Sequence, residues 1–416
     1  KHQACPYCGF TAPKIKEYVT KEITHSALTT QKCIIKYRAR RYKCSCCGKT
    51  YYEFNPFVFK SQKISILTVH NILKDLKDFN ETFTSVARRY HVSPTSVSTI
   101  FDNHVDIGRN PLPEIINFDE VYAFKSEKSK YVCVLLDFKK QIPVDVLPNR
   151  KKEYLLNYFQ KIPLEERKKV KYACSDMYEV YRDVVHKVFP ESKHLLDYFH
   201  LSQDFHKKMN EVRIKVMKGY KDDKASDEYY LLKKFNWLLF KNPEDEDKYG
   251  RLFDVERERK YNSHFKSYMN YYDLRKKILE INNDLTICYS LKLELVDFYS
   301  KSTIDNAQVN LEHLIRSFID TNIEEMIKFS NNLINWKQEI INSFTIVGTE
   351  YKVEADKGQV VVCNKKVNNA IIENRNKIIK CIKNNANGYT NWSRFRNRVM
   401  YVLDPNATFS LEPREK

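Results

Sequence analysis

Glycine is scarce: the chain of 416 residues holds only 8, against an average usage of about 7%. A Gly-rich loop that cradles phosphates is therefore absent, which argues against a nucleotide-driven enzyme. No apolar run approaches the roughly 18 unbroken residues of a membrane-spanning helix, so no membrane partner is expected. No apolar leader stands at the start, and Lys1 is not an initiator, so residues upstream of it are expected. Acidic residues are in deficit, 53 Asp and Glu against 71 Lys and Arg, a net charge of +18. Such an excess points to a polyanion, nucleic acid ahead of an anionic membrane surface. The bland alternative is a solvated, Lys-rich surface. The 11 cysteines, with no secretory leader, suggest a reducing compartment where thiols bind metal or lie buried.

Along the chain, residues 1–55 are rich in Cys, Arg and Tyr and have no helical period. Residues 56–110 turn helical, with Ile64, Leu67, Ile72 and Leu76 near one stripe. Asn110-Pro111-Leu112-Pro113 reads as a linker. Three strands follow, over Glu114–Asp119, Tyr131–Phe138 and Ile142–Leu147. Then come a helix at Tyr154–Phe159, a strand at Val170–Ser175, a helix at Tyr178–Phe189 and a short strand at Lys193–Leu196. This order predicts a mixed α/β sheet within residues 111–205. Residues 206–345 are charged and helical, with Trp237 and Trp336 as aromatic anchors. Residues 346–416 read as an extended stretch, a helix over 369–383 and a basic C-terminal tail.

Two Cys-x-x-Cys knuckles, Cys5–Cys8 and Cys44–Cys47, each followed by Gly, stand 35 residues apart. Each pair of thiolates can bite one Zn²⁺, and two pairs close a tetrahedral structural site. Glycine permits the tight turn behind each knuckle. Cys33 and Cys46 read as bystanders, although Cys46 is placed to replace one ligand. Unrelated buried thiols are the alternative.

Thr84–Val105 has the form of a helix-turn-helix. Ala87 is the small residue of the first helix, Val92 lies in the turn, and Ser93 caps a second helix with Pro94 at its first position. Thr95, Ser96 and Thr99 are exposed there, suited to base edges or phosphates, and Arg88, Arg89 and His91 flank them. An ordinary helical hairpin shares this pattern.

Asp119 closes the first strand of the α/β region and Asp176 closes the fourth. Carboxylates on neighbouring strands can hold two divalent cations about 4 Å apart, Mg²⁺ or Mn²⁺ by their oxygen ligands. One cation activates a water or a 3′-hydroxyl and the other stabilises the leaving oxygen of a phosphodiester. Glu373 is the candidate third ligand. With Ile371, Ile378 and Ile382 on the packed face of its helix, Glu373, Asn376, Lys377 and Lys380 fall on the opposite face. That face aims the glutamate at metal and the lysines at phosphates, or else is simply solvated. Asp197 and His200, near the end of the fifth strand, either touch the same centre as a supporting layer or cap the next helix.

Taken together, these segments resemble the ISL-three family of bacterial insertion-sequence transposases. The resemblance is carried by the knuckles with Arg40-Arg41-Tyr42-Lys43-Cys44, Phe118-Asp119-Glu120, Ser175-Asp176-Met177-Tyr178 and Asp197-Tyr198-Phe199-His200. It extends through Glu373-Asn374-Arg375-Asn376-Lys377, Asn387-Gly388-Tyr389-Thr390-Asn391-Trp392 and Arg394-Phe395-Arg396-Asn397-Arg398, and so covers nearly the whole chain. It implies a DDE transposase with an RNase H-like core, a helical insertion before the last acid, and Asp119, Asp176 and Glu373 as the metal-binding triad. It also implies a bacterial, nucleoid-associated protein. This would bind double-stranded DNA, both transposon ends and target, as a homodimer, with one structural Zn²⁺ and two Mg²⁺, and with Arg375 near the DNA. Family members often carry Ser-Asn-Gly-Pro where this chain has Asn368-Asn369-Ala370-Ile371. A transposase-derived regulator without catalysis, or a nuclease without strand transfer, are the competing functions.

Overall fold

The computed structural model describes residues 4–26, 31–59, 62–124, 129–353 and 360–414. It has a mixed α/β architecture. A three-stranded antiparallel sheet comes first: β1 (Lys14–His25), β2 (Cys33–Lys43) and β3 (Thr50–Tyr52), in that order. Three helices follow, α1 (Ile66–Asp75), α2 (Phe83–Arg89) and α3 (Pro94–His104).

The central sheet comprises β4 (Ile115–Val121), β5 (Val132–Asp137), β6 (Pro143–Leu147), β7 (Tyr172–Ser175) and β8 (Lys193–Leu196), ordered β6-β5-β4-β7-β8. β5 and β6 are antiparallel, whereas β7 runs parallel to both β4 and β8. Every residue of β5 and β6 is buried, the mark of strands covered on both faces. Helices α4 (Lys152–Gln160), α5 (Leu164–Arg167) and α6 (Glu179–Val188) lie between these strands in sequence. The five strands fall where their apolar runs predict them, except that β4 does not close at Asp119 but continues to Val121.

The next stretch is helical: α7 (Tyr198–Lys218), α8 (Asp227–Lys234), α9 (Tyr271–Glu280), α10 (Asn283–Lys301), α11 (Ala307–Ile319), α12 (Glu324–Asn335) and α13 (Lys337–Asn342). Two small hairpins, pairing 246–247 with 250–251 and 260–262 with 267–269, interrupt it. Periodicity misses them because strands of two or three residues leave no period to detect. The extended stretch after residue 345 is a hairpin, β13 (Ile346–Val353) with β14 (Val360–Lys366), the preceding four short strands being β9 to β12. Helices α14 (Ala370–Asn385) and α15 (Trp392–Leu403) complete the fold.

The chain divides into two compact units. One comprises Lys1–Pro113, Asp119–Lys161 and Ala370–Lys416; the other comprises Glu114–Phe118 and Ile162–Asn369. In the first, Val132, Val134 and Leu136 of β5 pack with Ile372 and Ile379 of α14 and with Phe395 and Val399 of α15. A second core there joins α1, α2 and α3 to Tyr401 of α15. In the second unit, α7 to α13 share one core built on Phe205, Phe318, Phe329 and Trp336. Trp237 packs against it.

The C-terminal residues differ from a basic tail. Within the first unit Arg394 forks onto Asp102 of α3 (2.6 and 2.9 Å). Arg396 pairs with buried Asp145 of β6 (2.6 Å). Arg398, 1% exposed, donates to the carbonyls of Asp78 and Glu81. Asn397 donates to the Val105 carbonyl. The run Arg394-Phe395-Arg396-Asn397-Arg398 thus ties the three helices to the strand-bearing part of its unit. Charge in a sequence cannot tell an arginine facing solvent from one satisfied by fixed carbonyls and carboxylates, because both are equally basic.

Candidate active site and cysteine cluster

The four-cysteine cluster is built by the first sheet. Antiparallel pairing of β1 with β2 sets Lys14 opposite Lys43, and so brings the segment that carries Cys5 and Cys8 back to Cys44 and Cys47. The Sγ atoms of all four lie within 4.8 Å of one another, Cys5 to Cys47 at 3.7 Å and Cys8 to Cys44 at 3.5 Å. Tetrahedral thiolates about 2.3 Å from a Zn²⁺ ion sit about 3.8 Å apart, so the spacing suits that ion. Gly9 and Gly48 adopt φ of 75° and 70°, the left-handed turn for which Gly is favoured. The backbone amide of Cys47 donates to Cys44 Sγ (3.5 Å) and holds that thiol down at about 7. Cys46, exposed, and Cys33, half-buried, both lie outside the cluster.

Ser93 Oγ accepts from Ser96 N (3.0 Å), and Pro94 opens α3. Ahead of them His91 has φ 54° and makes the turn out of α2. Thr95 and Thr99 are exposed and Ser96 half-buried; Arg88 is exposed. Arg89 is instead engaged by Asp75 and Glu81, which fixes α2 against α1.

Asp119, 8% exposed, sits in β4 and accepts from Glu120 N through Oδ1 (2.7 Å). Its Oδ2 accepts from Asn376 Nδ2 (2.7 Å), a residue of α14 that is 5% exposed. The face of α14 that packs inward is Ile372, Asn376, Ile379 and Ile382, with Ile371 and Ile378 half-buried. Asn376 therefore does not share a solvated face with the lysines, because a buried carboxylate needs its amide. Glu373, half-buried, lies one turn before Asn376, while Lys377 and Lys380 are exposed. Arg375 donates to the Gln141 carbonyl (3.2 Å).

In the second unit, Asp176 directly follows β7 and Asp197 directly follows β8. Ser175 pairs with Leu196, so the two aspartates leave adjacent parallel strands side by side. β4 also runs parallel to β7, with Asn117 opposite Cys174; Asp119 and Asp176 each come two residues later in sequence. Asp197, 3% exposed, precedes α7. Burial pushes its carboxyl above the usual carboxylate range, although the Asn369 amide donates to its Oδ1 (3.1 Å). His200, in the first turn of α7, has Nε2 3.8 Å from Asp197 Oδ2. Asn369 is fully buried and also bonds the Asn117 side chain (2.7 Å) and the Phe118 carbonyl (3.3 Å). Asn117, Asn369 and Asn376 were not among the sequence candidates. Their one signal is an amide placed two residues before, four before and three after a candidate acid.

The class of protein is given by comparison: a transposase family model of the ISL3 DDE type matches residues 116–355, more than half of the chain. The chain belongs to the ISL3 family of DDE transposases. The matched span contains Asp119 and Asp176 and ends before Glu373. The chain is also 19% identical over 410 residues to the transposase for insertion sequence element IS1001 of Bordetella parapertussis, covering 98% of this chain and 90% of that protein. Among the described residues no helix is long and apolar enough to cross a membrane.

Proposed function

We propose that the protein binds the terminal inverted repeats of an insertion sequence and catalyses metal-dependent cleavage and strand transfer from an RNase H-like core. Asp119, Asp176 and Glu373 hold the catalytic cations in this reading. Residues 206–345 form its insertion. The observation that carries it is the bond from Asn376 to Asp119, which ties the helix bearing Glu373 to the strand bearing Asp119. The donor set is all oxygen, which fits Mg²⁺ or Mn²⁺ rather than Zn²⁺. When bound, two such cations supply Lewis-acid activation of the attacking oxygen and neutralise charge on the leaving one.

The chain's own residues orient the rest. Asn376 fixes one Asp119 oxygen. Exposed Lys377 and Lys380, on the same helix as Glu373, are set to meet backbone phosphates. Cys5, Cys8, Cys44 and Cys47 hold one structural Zn²⁺. The α2–α3 pair acts as a helix-turn-helix, with Thr95, Ser96 and Thr99 facing the DNA and exposed Arg88 on phosphate. Two transposon ends must be brought together, and a homodimer on DNA does this.

The test uses the full chain and a plasmid carrying the ends of its element. Asp119→Asn, Asp176→Asn and Glu373→Gln should each abolish cleavage and joining in Mg²⁺ while leaving end binding within about twofold, because metal ligation and phosphate contact are separate tasks. Wild-type cleavage by Glu373→Gln would displace Glu373 from the triad and make Asp197 the candidate.

A further inference from the structure

The β1–β2 ribbon has two unlike faces. Side chains alternate along each strand, and directly paired residues share a face. One face carries Val19, Lys21, Ile23, Ile35, Tyr37, Ala39 and Arg41, all buried or half-buried. Here Arg41 pairs with Glu17 (2.7 Å) and Lys21 lies over the Tyr52 ring (3.9 Å). The other face pairs Tyr18 with Arg40, Thr20 with Arg38, Glu22 with Lys36 and Thr24 with Ile34. All of these but Thr24 are exposed. The Arg38 guanidinium lies over the Tyr18 ring (4.5 Å), and Arg40 is held 3.5 Å from Glu53. Residues 4–59 as a whole carry ten Lys or Arg against three Glu and no Asp.

This open face runs on from α3. Thr24 lines a cleft of about 610 Å³ together with Gln62, Lys63, Thr95, Ser96 and Thr99. The junction is fixed: Thr24 N donates to the Lys63 carbonyl (2.8 Å), Ser65 N donates to the Thr24 carbonyl (2.9 Å), and His25 Nδ1 meets Ser65 Oγ (2.9 Å). From Thr24 to Tyr18 the strand rises roughly 20 Å. That equals about six base pairs at about 3.4 Å each.

Resting on the DNA-binding reading above, we infer that the exposed ribbon face, with Lys36 and Arg38 at its centre, is a second contact surface for duplex DNA. It extends the track of α3 by about six base pairs along the phosphate backbone. Charge complementarity names the occupant: a two-stranded ribbon fits a duplex groove, and a row of cations along its open face meets the phosphates that line that groove. Tyr18 braces Arg38, so the guanidinium reaches the backbone already oriented.

The experiment measures binding of the full chain to a mixed-sequence duplex a few dozen base pairs long, by fluorescence anisotropy over a KCl series. Lys36→Gln with Arg38→Gln should lower the slope of log K against log salt by about 1.8, since each phosphate contact contributes about 0.9. The affinity gap to wild type should then narrow about tenfold as salt rises fourfold. Lys21→Gln with Arg41→Gln removes equal charge from the packed face and should leave the slope unchanged. Lys36→Arg with Arg38→Lys should retain the wild-type slope, which separates lost charge from lost folding. An unchanged slope in the first variant, an equal loss in the packed-face variant, or tighter binding to a single strand of the same sequence would each overturn the ribbon surface while duplex binding by α3 stands. Failure of the wild type to bind duplex at all would instead remove the DNA-binding reading itself.

Discussion

Replacing Asn376 with Asp probes the candidate metal site through one atom. In the native chain the Asn376 amide donates to Asp119 Oδ2 at 2.7 Å, with both residues nearly sealed from water. The substitution removes that donor, and a hydrogen bond to a charged group contributes about 1.5–3 kcal/mol. It also sets a second carboxylate against the first. At about 4 Å and an effective dielectric of about 20, the repulsion reaches about 4 kcal/mol. The sum is comparable to the whole stability of a typical domain, about 5–15 kcal/mol. Either a proton or a divalent cation relieves it. Asn376→Asp should therefore melt well below wild type at neutral pH without metal. It should recover on mild acidification, and gain more from MgCl2 than wild type does. Differential scanning calorimetry of the full chain, with and without MgCl2, reads all three. Equal melting of variant and wild type without metal would refute the reasoning, as would equal gains with it, because Asp119 would then not be a buried anion that depends on Asn376 or on a cation.

Metal analysis of the purified chain should give one zinc per molecule, and Cys44→Ser should lose it and melt lower; a stable zinc-free wild type would remove the assignment of the four cysteines to zinc. In selection from random duplexes, Thr95→Ala and Ser96→Ala should change the preferred sequence more than overall affinity, and an unchanged preference would move base reading to another element. His194, which meets Ser175 Oγ at 2.9 Å, is pushed by burial down to about 3. Its ring stays neutral in the fold while the unfolded chain takes up a proton below about 6.5. Its stabilising effect is thus complete above that pH and lost as pH falls toward 3, up to about 5 kcal/mol. Urea denaturation across that window should show the loss, and His194→Asn should flatten it; parallel curves would show that another group controls acid unfolding.

Much of this protein is determined by local sequence. The Cys5–Cys8 and Cys44–Cys47 spacing foretells a four-thiol cluster because two-residue bites and a Gly turn are local geometry. Ser93-Pro94 foretells the start of α3 because an N-cap needs no distant partner. β7 and β8 are legible as apolar runs followed by Asp176 and Asp197, whereas β4 runs on past Asp119 to Val121. Tertiary structure alone decided the partners. Helical period placed Asn376 with Lys377 and Lys380, yet packing turned it inward to Asp119, because period reports the average polarity of a face and not which polar group finds a buried partner. The arginines of α15 read as a basic tail, yet Asp102, Asp145 and the carbonyls of residues 78 and 81 draw them inside. Those partners lie about 250 or more positions away in sequence, and no local pattern records a contact that only the closed chain brings within reach.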